Sequence, residues 1–164
     1  MRKPILLLFL TLSFGVFSQE ISNSDFENTD WFAGINGEKL FKSDTLIISK
    51  LTTLEPKIFS HMWMFVEMDY LKTDLFSTLE FRNSDIFIEE VDKDACGFNF
   101  SDQINWKFDN EKQNLRFYKN GNLIAEYQVI SKTTDFTEWS NKADKNPIEL
   151  SANILKLELR KLRE

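Results

Sequence analysis

Hydrophobic and polar residues alternate most strictly between Ile104 and Ile130. Ile104, Trp106 and Phe108 interleave with Asn105, Lys107 and Asp109, a period of two that sets three large apolar groups on one sheet face. Pairing Phe108 with Leu115 and Trp106 with Phe117 leaves Asn110 to Gln113 as a four-residue hairpin loop. A two-residue Asn120-Gly121 turn would set Leu115 opposite Glu126. A three-residue loop, Lys119-Asn120-Gly121, instead sets Phe117 opposite Leu123 and Leu115 opposite Ala125, with Gly121 in the positive-φ bulge position. Because a slip of one residue turns every side chain over, the apolar pattern selects the longer loop. Trp106, Phe108, Leu115, Phe117, Ala125 and Tyr127 then share one continuous surface. The opposite surface carries Lys107, Asp109, Arg116 and Glu126, so the aromatic surface is expected to point inward.

Weaker patterns add further strands. Thr45 to Leu51 is rich in β-branched and aliphatic residues, and the Pro56 region breaks it. Thr78 to Arg82 and Ile86 to Val91 flank an Asn83-Ser84-Asp85 turn and read as a hairpin. From Ile58 to Tyr70, Met62, Met64, Val66 and Met68 alternate with His61, Trp63, Phe65 and Glu67, which predicts a central strand apolar on both faces. Its methionine face is expected to meet the aromatic interior, either as gap-filling core or as an adaptable binding surface. Near the C-terminus Leu155, Leu157 and Leu159 alternate with charged residues, while Asn146-Pro147-Ile148-Glu149 could open a helix. The alternation favours a strand. The stretch Ser131 to Asn146 is polar, anchored only by Phe136 and Trp139.

The N-terminus changes the picture by supplying an address. Arg2 and Lys3 precede an apolar run from Pro4 to Phe17, the form of a signal peptide cleaved after Ser18. Residues 1–18 are therefore expected to be removed, 19–30 to form a flexible leader, and 31–164 to fold as a single β-barrel domain. Cleavage takes the formal charge from −6 to −8, an acidic balance that argues against nucleic acid and anionic membrane surfaces. The apolar run is too short to favour stable membrane insertion. Sixteen Phe, four Trp and three Tyr supply a large core, or more apolar lining than a core needs.

Counting removes most chemistry. His61 is the only histidine and Cys96 the only cysteine, so nucleophile–histidine pairs and zinc or redox-metal clusters lack their groups. The expectation is no enzyme, no metal and no cofactor; a two-carboxylate hydrolase is recognised by distance in space, not by sequence. Asn99-Phe100-Ser101 is a glycosylation sequon, and Asp44-Thr45-Leu46 matches a short O-glycosylation pattern.

Strands at short spacing with turns between them predict an all-β fold, an antiparallel up-and-down meander closing into a barrel of about eight strands. The order of pieces resembles the lipocalin-like domain of small exported bacterial proteins. The residues that carry the likeness are Trp31, Leu79-Glu80-Phe81 with Ile86-Phe87-Ile88, Trp106-Lys107-Phe108 with Leu115-Arg116-Phe117, Tyr127-x-Val129 and the closing leucine strand. It spans Trp31 to Leu162, with Thr29 where the family's glycine would stand and Arg160 as the basic residue matched to the one covering the tryptophan. The resemblance implies a periplasmic or extracellular binding protein for a small apolar or amphipathic ligand. Met62, Met64, Met68, Trp106, Phe108, Leu115, Phe117 and Tyr127 are its candidate interior ligand residues. An eight-stranded barrel can equally be filled by its own side chains, which leaves a protein-interaction or structural module as the alternative.

Overall fold

In a computed structural model, the described residues are 20–35, 37–92, 104–141 and 147–162. The signal-peptide segment, Cys96 and the sequon at Asn99 lie outside them. Eight strands form one antiparallel sheet closed into a ring: β1 (Thr29–Ala33), β2 (Thr45–Glu55), β3 (Leu75–Arg82), β4 (Asp85–Asp92), β5 (Ile104–Asp109), β6 (Asn114–Lys119), β7 (Asn122–Ser140) and β8 (Glu149–Lys161). From β3 to β8 the chain is a simple meander. At the closure the order is β8-β2-β1-β3, so β1 lies between β2 and β3 rather than at the start of an uninterrupted meander. Among the described residues, one pair, Phe32 with Ser49, joins β1 to β2, and two pairs, Asp85 with Asn105 and Ile86 with Ile104, join β4 to β5.

The first hairpin has the expected register, Phe108 opposite Leu115 and Trp106 opposite Phe117. The second does not. Lys119 pairs with Asn122, which makes Asn120-Gly121 a two-residue turn with φ of 52° and 78°. A bulge at Ile124 then restores the pattern, placing Phe117 opposite Ala125 and Leu115 opposite Tyr127. The apolar residues face inward as the alternation requires, but a bulge corrects the register instead of a longer loop. Gly121 does take a positive φ, and a Cβ there would meet nothing within 4 Å, so a substitution costs backbone strain alone. Gly121→Val should therefore lower stability by about 1–2 kcal/mol in denaturant unfolding. An unchanged midpoint would refute that strain.

The segment expected as a central strand is helical. Lys57–Met62 is a 3₁₀ helix and Trp63–Leu71 is α3, which ends at Lys72 in a left-handed conformation. Among residues 58–70 only Ile58 and Val66 are β-branched, whereas the three Met and Glu67 suit a helix. Met62 and Val66, four apart, bury the same side of the helical segment.

The residues expected as a loose leader belong to the folded body. Asn23–Phe26 form a short helix, α1, and Ile21 and Phe26 are buried. The Gln113 side chain accepts from the Ile21 N–H at 3.0 Å and donates to its carbonyl at 2.8 Å. A second short helix, α2 (Gly37–Leu40), buries Leu40. The polar stretch after Ile130 continues β7 to Ser140, paired residue by residue with β8 after a bulge between Val129 and Ser131. The C-terminal stretch is the strand that its alternation predicts.

Two cores follow from which side of each strand is covered. Trp31, Leu79, Phe81, Ile86, Trp106, Leu115, Phe117, Tyr127, Leu157 and Leu159 fill the ring interior. Phe32, Leu51, Phe76, Leu150, Ala152 and Ile154 form a second cluster, with Met62 and Val66 of the helical segment. Phe32 follows Trp31, and Ile154 precedes Leu155, so this second core lies on the outer face of the sheet. α3 covers that face.

Candidate functional site

The eight residues proposed from sequence as one interior site fall into two places. Trp106, Phe108, Leu115, Phe117 and Tyr127 meet inside the ring, against one another and against Phe26, Phe41 and Phe81. Ring centroids lie 5.0 Å apart for Phe26–Phe108 and Phe41–Phe117, 5.1 Å for the edge-on Phe81–Trp106 pair and 6.3 Å for Phe117–Tyr127. These are contact separations for aromatic rings. Trp31, Phe26, Phe81, Phe117 and Tyr127 are all at most 0% exposed. The Tyr127 hydroxyl reaches the Leu40 and Ser43 carbonyls at 2.8 and 3.0 Å, and burial, then Asp44, raises its pKa to about 12. The Trp106 indole N–H is buried without an acceptor among the described residues.

Met62, Met64 and Met68 do not meet this interior, because their segment is a helix on the outer face. Met62 is buried in the second core, while Met64 and Met68 line an open cleft of about 360 Å³ with Phe65, Asp69, Lys72, Thr73, Asp74 and Trp139. Phe65 stacks on Trp139 of β7 with centroids 6.1 Å apart and planes 27° from parallel. Even so, Phe65 is 46% exposed and Met64 40%. Tyr70, one face of α3 away, donates its hydroxyl to Asp135 at 3.0 Å and fixes the helix against β7. Trp139 also lines a second cleft, about 590 Å³, with Glu55, Pro56, Glu138, Ser140, Glu149, Leu150 and Ser151. Sequence reasoning left Phe65 and Trp139 out of the site. Their pairing depends on α3 being a helix, and nothing local links positions 65 and 139.

Charged groups frame α3 on its other side. Glu67 is largely desolvated beside Asp30, which raises its pKa to about 7; burial is the larger cause. Asp30 is held by Arg82 at 2.6 Å, and Arg82 also meets Glu80 at 3.2 Å. Glu89 is raised as well, first by burial and then by Glu80, and its Oε1 has no hydrogen-bond partner among the described residues. The basic group over Trp31 is Lys50, with Nζ 4.8 Å from the ring centroid, not the exposed Arg160. Lys50 donates to the Asp25 carbonyl at 2.7 Å, and its pKa is lowered mainly by burial. The Trp31 indole donates to the Thr29 hydroxyl at 2.9 Å, so the residue standing in for glycine is engaged.

Among the described residues no group of three or more His, Cys, Asp or Glu is placed to hold a metal ion. None of their helices is long and apolar enough to cross a membrane. Compared with protein-family models, with curated proteins and with solved structures, the chain finds no match in any of the three.

Proposed function

We propose that this chain is an exported binding module whose ring is a rigid, filled scaffold and whose partner is a protein that docks on the outer face of α3 and β7. The observation that carries this reading is the half-exposed Phe65–Trp139 stack flanked by Met64 and Met68. Stacked aromatics and flexible thioethers at the surface are the composition of an interaction site, and a folded domain gains nothing by leaving them in water. The aromatic packing inside the ring supports the same reading, since it gives those side chains a structural role. A lipocalin-like barrel is the finer form of the fold we propose. A closed eight-stranded ring and a tryptophan covered by a basic residue support it, and export rests on the N-terminal signal-peptide pattern.

A second reading, a carrier for a small apolar ligand, is favoured by the unpartnered Trp106 N–H inside the ring. One preparation separates the two. With a photo-crosslinking residue at position 65, protein exported by its own host should form one discrete adduct with a partner protein, and the same residue at Phe87, another exposed aromatic, should not. The native mass of the uncrosslinked protein should equal that of the chain lacking residues 1–18. No adduct at position 65, together with a small-molecule increment in the native mass, would replace docking by the carrier reading.

A further inference from the structure

The second half of β7 has an open edge among the described residues, and the geometry points to its occupant: the same edge of a second copy of this chain, paired antiparallel about a two-fold axis at Phe136. β6 accompanies β7 only as far as Gln128, opposite Asn114, and the Val129 N–H, which donates to the Gln113 carbonyl at 2.9 Å. From Ser131 to Ser140, β7 pairs with β8 alone among the described residues. Alternate residues of an antiparallel strand turn their N–H and C=O groups to opposite sides. Asn141 donates to the Ile148 carbonyl on the β8 side, so residues 132, 134, 136, 138 and 140 present theirs to the open side. The Phe136 N–H accordingly turns to the neighbouring carboxylate, and Asp135 Oδ1 accepts it at 2.9 Å. The residues that border positions 93–103 lie elsewhere. Asp92 pairs with Leu75, and Ile104 sits opposite Lys119, whose partner Asn122 opens β7 at its other end.

This edge is complementary to itself. A two-fold at Phe136 sets residue 132 opposite 140, 134 opposite 138 and 136 opposite 136, so every outward-turned position finds a partner. Phe136 is 56% exposed, and no described aromatic side chain is more so. The pairing covers it with Phe136 of the second copy, a cross-strand aromatic pair. On the same face Thr134 meets Glu138 of the second copy, and Lys132 lies diagonal to that carboxylate. On the outer face Thr133 meets Trp139 and Asp135 meets Thr137, so no like charges stand opposite. Moving the two-fold to Asp135 would oppose two carboxylates, which fixes the register. No proline interrupts residues 130–140. The contact is small, and the mature chain carries a formal charge of −8, that is −6 less Arg2 and Lys3. The dimer is therefore weak, formed at high concentration and dissociated in the dilute samples of a native mass measurement. The Phe65–Trp139 stack stays on the outer face, so this pairing goes beyond the docking reading and does not depend on it.

Sedimentation equilibrium of the mature chain tests this. The wild type should be monomeric near ~1 μM and substantially dimeric near ~500 μM, the range of a small transient interface, and added salt should strengthen the dimer by screening its net charge. Phe136→Lys sets two cations opposite one another at an exposed position and should weaken the dimer by about tenfold or more. Thr134→Pro removes an N–H that faces away from β8, so the strand keeps its β8 pairing while the dimer weakens similarly. For the register, Phe136→Cys in a Cys96→Ser background brings two thiols to a Cα separation of roughly 5.5 Å, within disulfide reach, and should form a covalent dimer under mild oxidation. Thr134→Cys in the same background should not. A chain that stays monomeric at ~500 μM, or a dimer unmoved by both Phe136→Lys and Thr134→Pro, overturns the proposal. So does a Thr134→Cys chain that links as readily as the Phe136→Cys one. The position-65 crosslink to a different protein reads the docking face separately, so either reading can fail alone.

Discussion

Replacing Phe26 with alanine should destabilise the fold by about 3–5 kcal/mol, the range for deleting a fully buried phenylalanine ring. Phe26 is 0% exposed and lies 5.4 Å from Trp31, 5.2 Å from Phe81, 6.0 Å from Trp106 and 5.0 Å from Phe108, centroid to centroid. It thus touches rings from β1, β3 and β5, linking β5 to the directly paired strands β1 and β3. Removing it opens a cavity where four aromatic rings meet, and the rigid strands around it limit relaxation. Denaturant unfolding measures the loss, and a red shift in tryptophan emission should accompany it as water reaches Trp31 and Trp106. Phe26→Leu, which keeps most of the volume, should recover more than half of the stability. A Phe26→Ala cost below about 1 kcal/mol would mean that α1 does not plug the ring as described.

That residue shows where sequence reasoning stops. Residues 20–30 hold only two large apolar side chains, Ile21 and Phe26, too few to set a period. A helix of four residues is not stable by itself; it exists because Phe26 finds the ring and Gln113 ties down Ile21. One local signal was legible: Ser22-Asn23-Ser24-Asp25 has capping-box spacing, and the Asp25 carboxylate does accept the Ser22 N–H at 2.9 Å. The strands of the second half were legible for the opposite reason. One buried face and one wet face leave a period of two in β5, β6 and the leucine part of β8, and that period defines their inward residues without tertiary information. Where both faces are covered the signal disappears. Leu150, Ala152 and Ile154 are buried beneath α3 and Leu155 inside the ring, so consecutive positions of β8 are apolar for different reasons.

α3 itself was misread because apolar residues surround it. Met62 and Val66 face the outer core while Met64 and Phe65 face solvent, so neither helical nor strand periodicity stands out. The same error hid the candidate site: a strand would have sent the methionines into the ring. The position of β1 between β2 and β3 had no signature either, since a pairing order is set by how distant segments fit and not by the composition of one strand.

Glu67→Gln should stabilise the protein at pH 8 by about 1–3 kcal/mol and leave it unchanged near pH 4. The ordinary glutamate value is 4.5, and in the folded chain Glu67 of α3 is raised to about 7, first by its burial and then by Asp30. Between these two values the folded protein binds a proton that the unfolded chain has released. The favourable contribution is complete below the unfolded value, and it is lost as pH rises through the folded one. Wild-type stability should therefore decline from pH 4.5 toward 7 by the amount that glutamine spares it, other groups being common to both proteins. Arg82 does not cancel the effect, because its guanidinium is shared between Asp30 and Glu80. The consequence reaches the docking face. Glu67 and Phe65 lie on the same short helix, and ionising Glu67 weakens the seating of Val66 and Met62 that holds Phe65 against Trp139. Protection of the α3 amides, taken relative to the intrinsic exchange rate at each pH, should thus fall between pH 6 and 8 in the wild type and not in Glu67→Gln. Equal stability of the two proteins at pH 8, or the same exchange profile in both, would show that Glu67 is solvated and that α3 is held without regard to its charge.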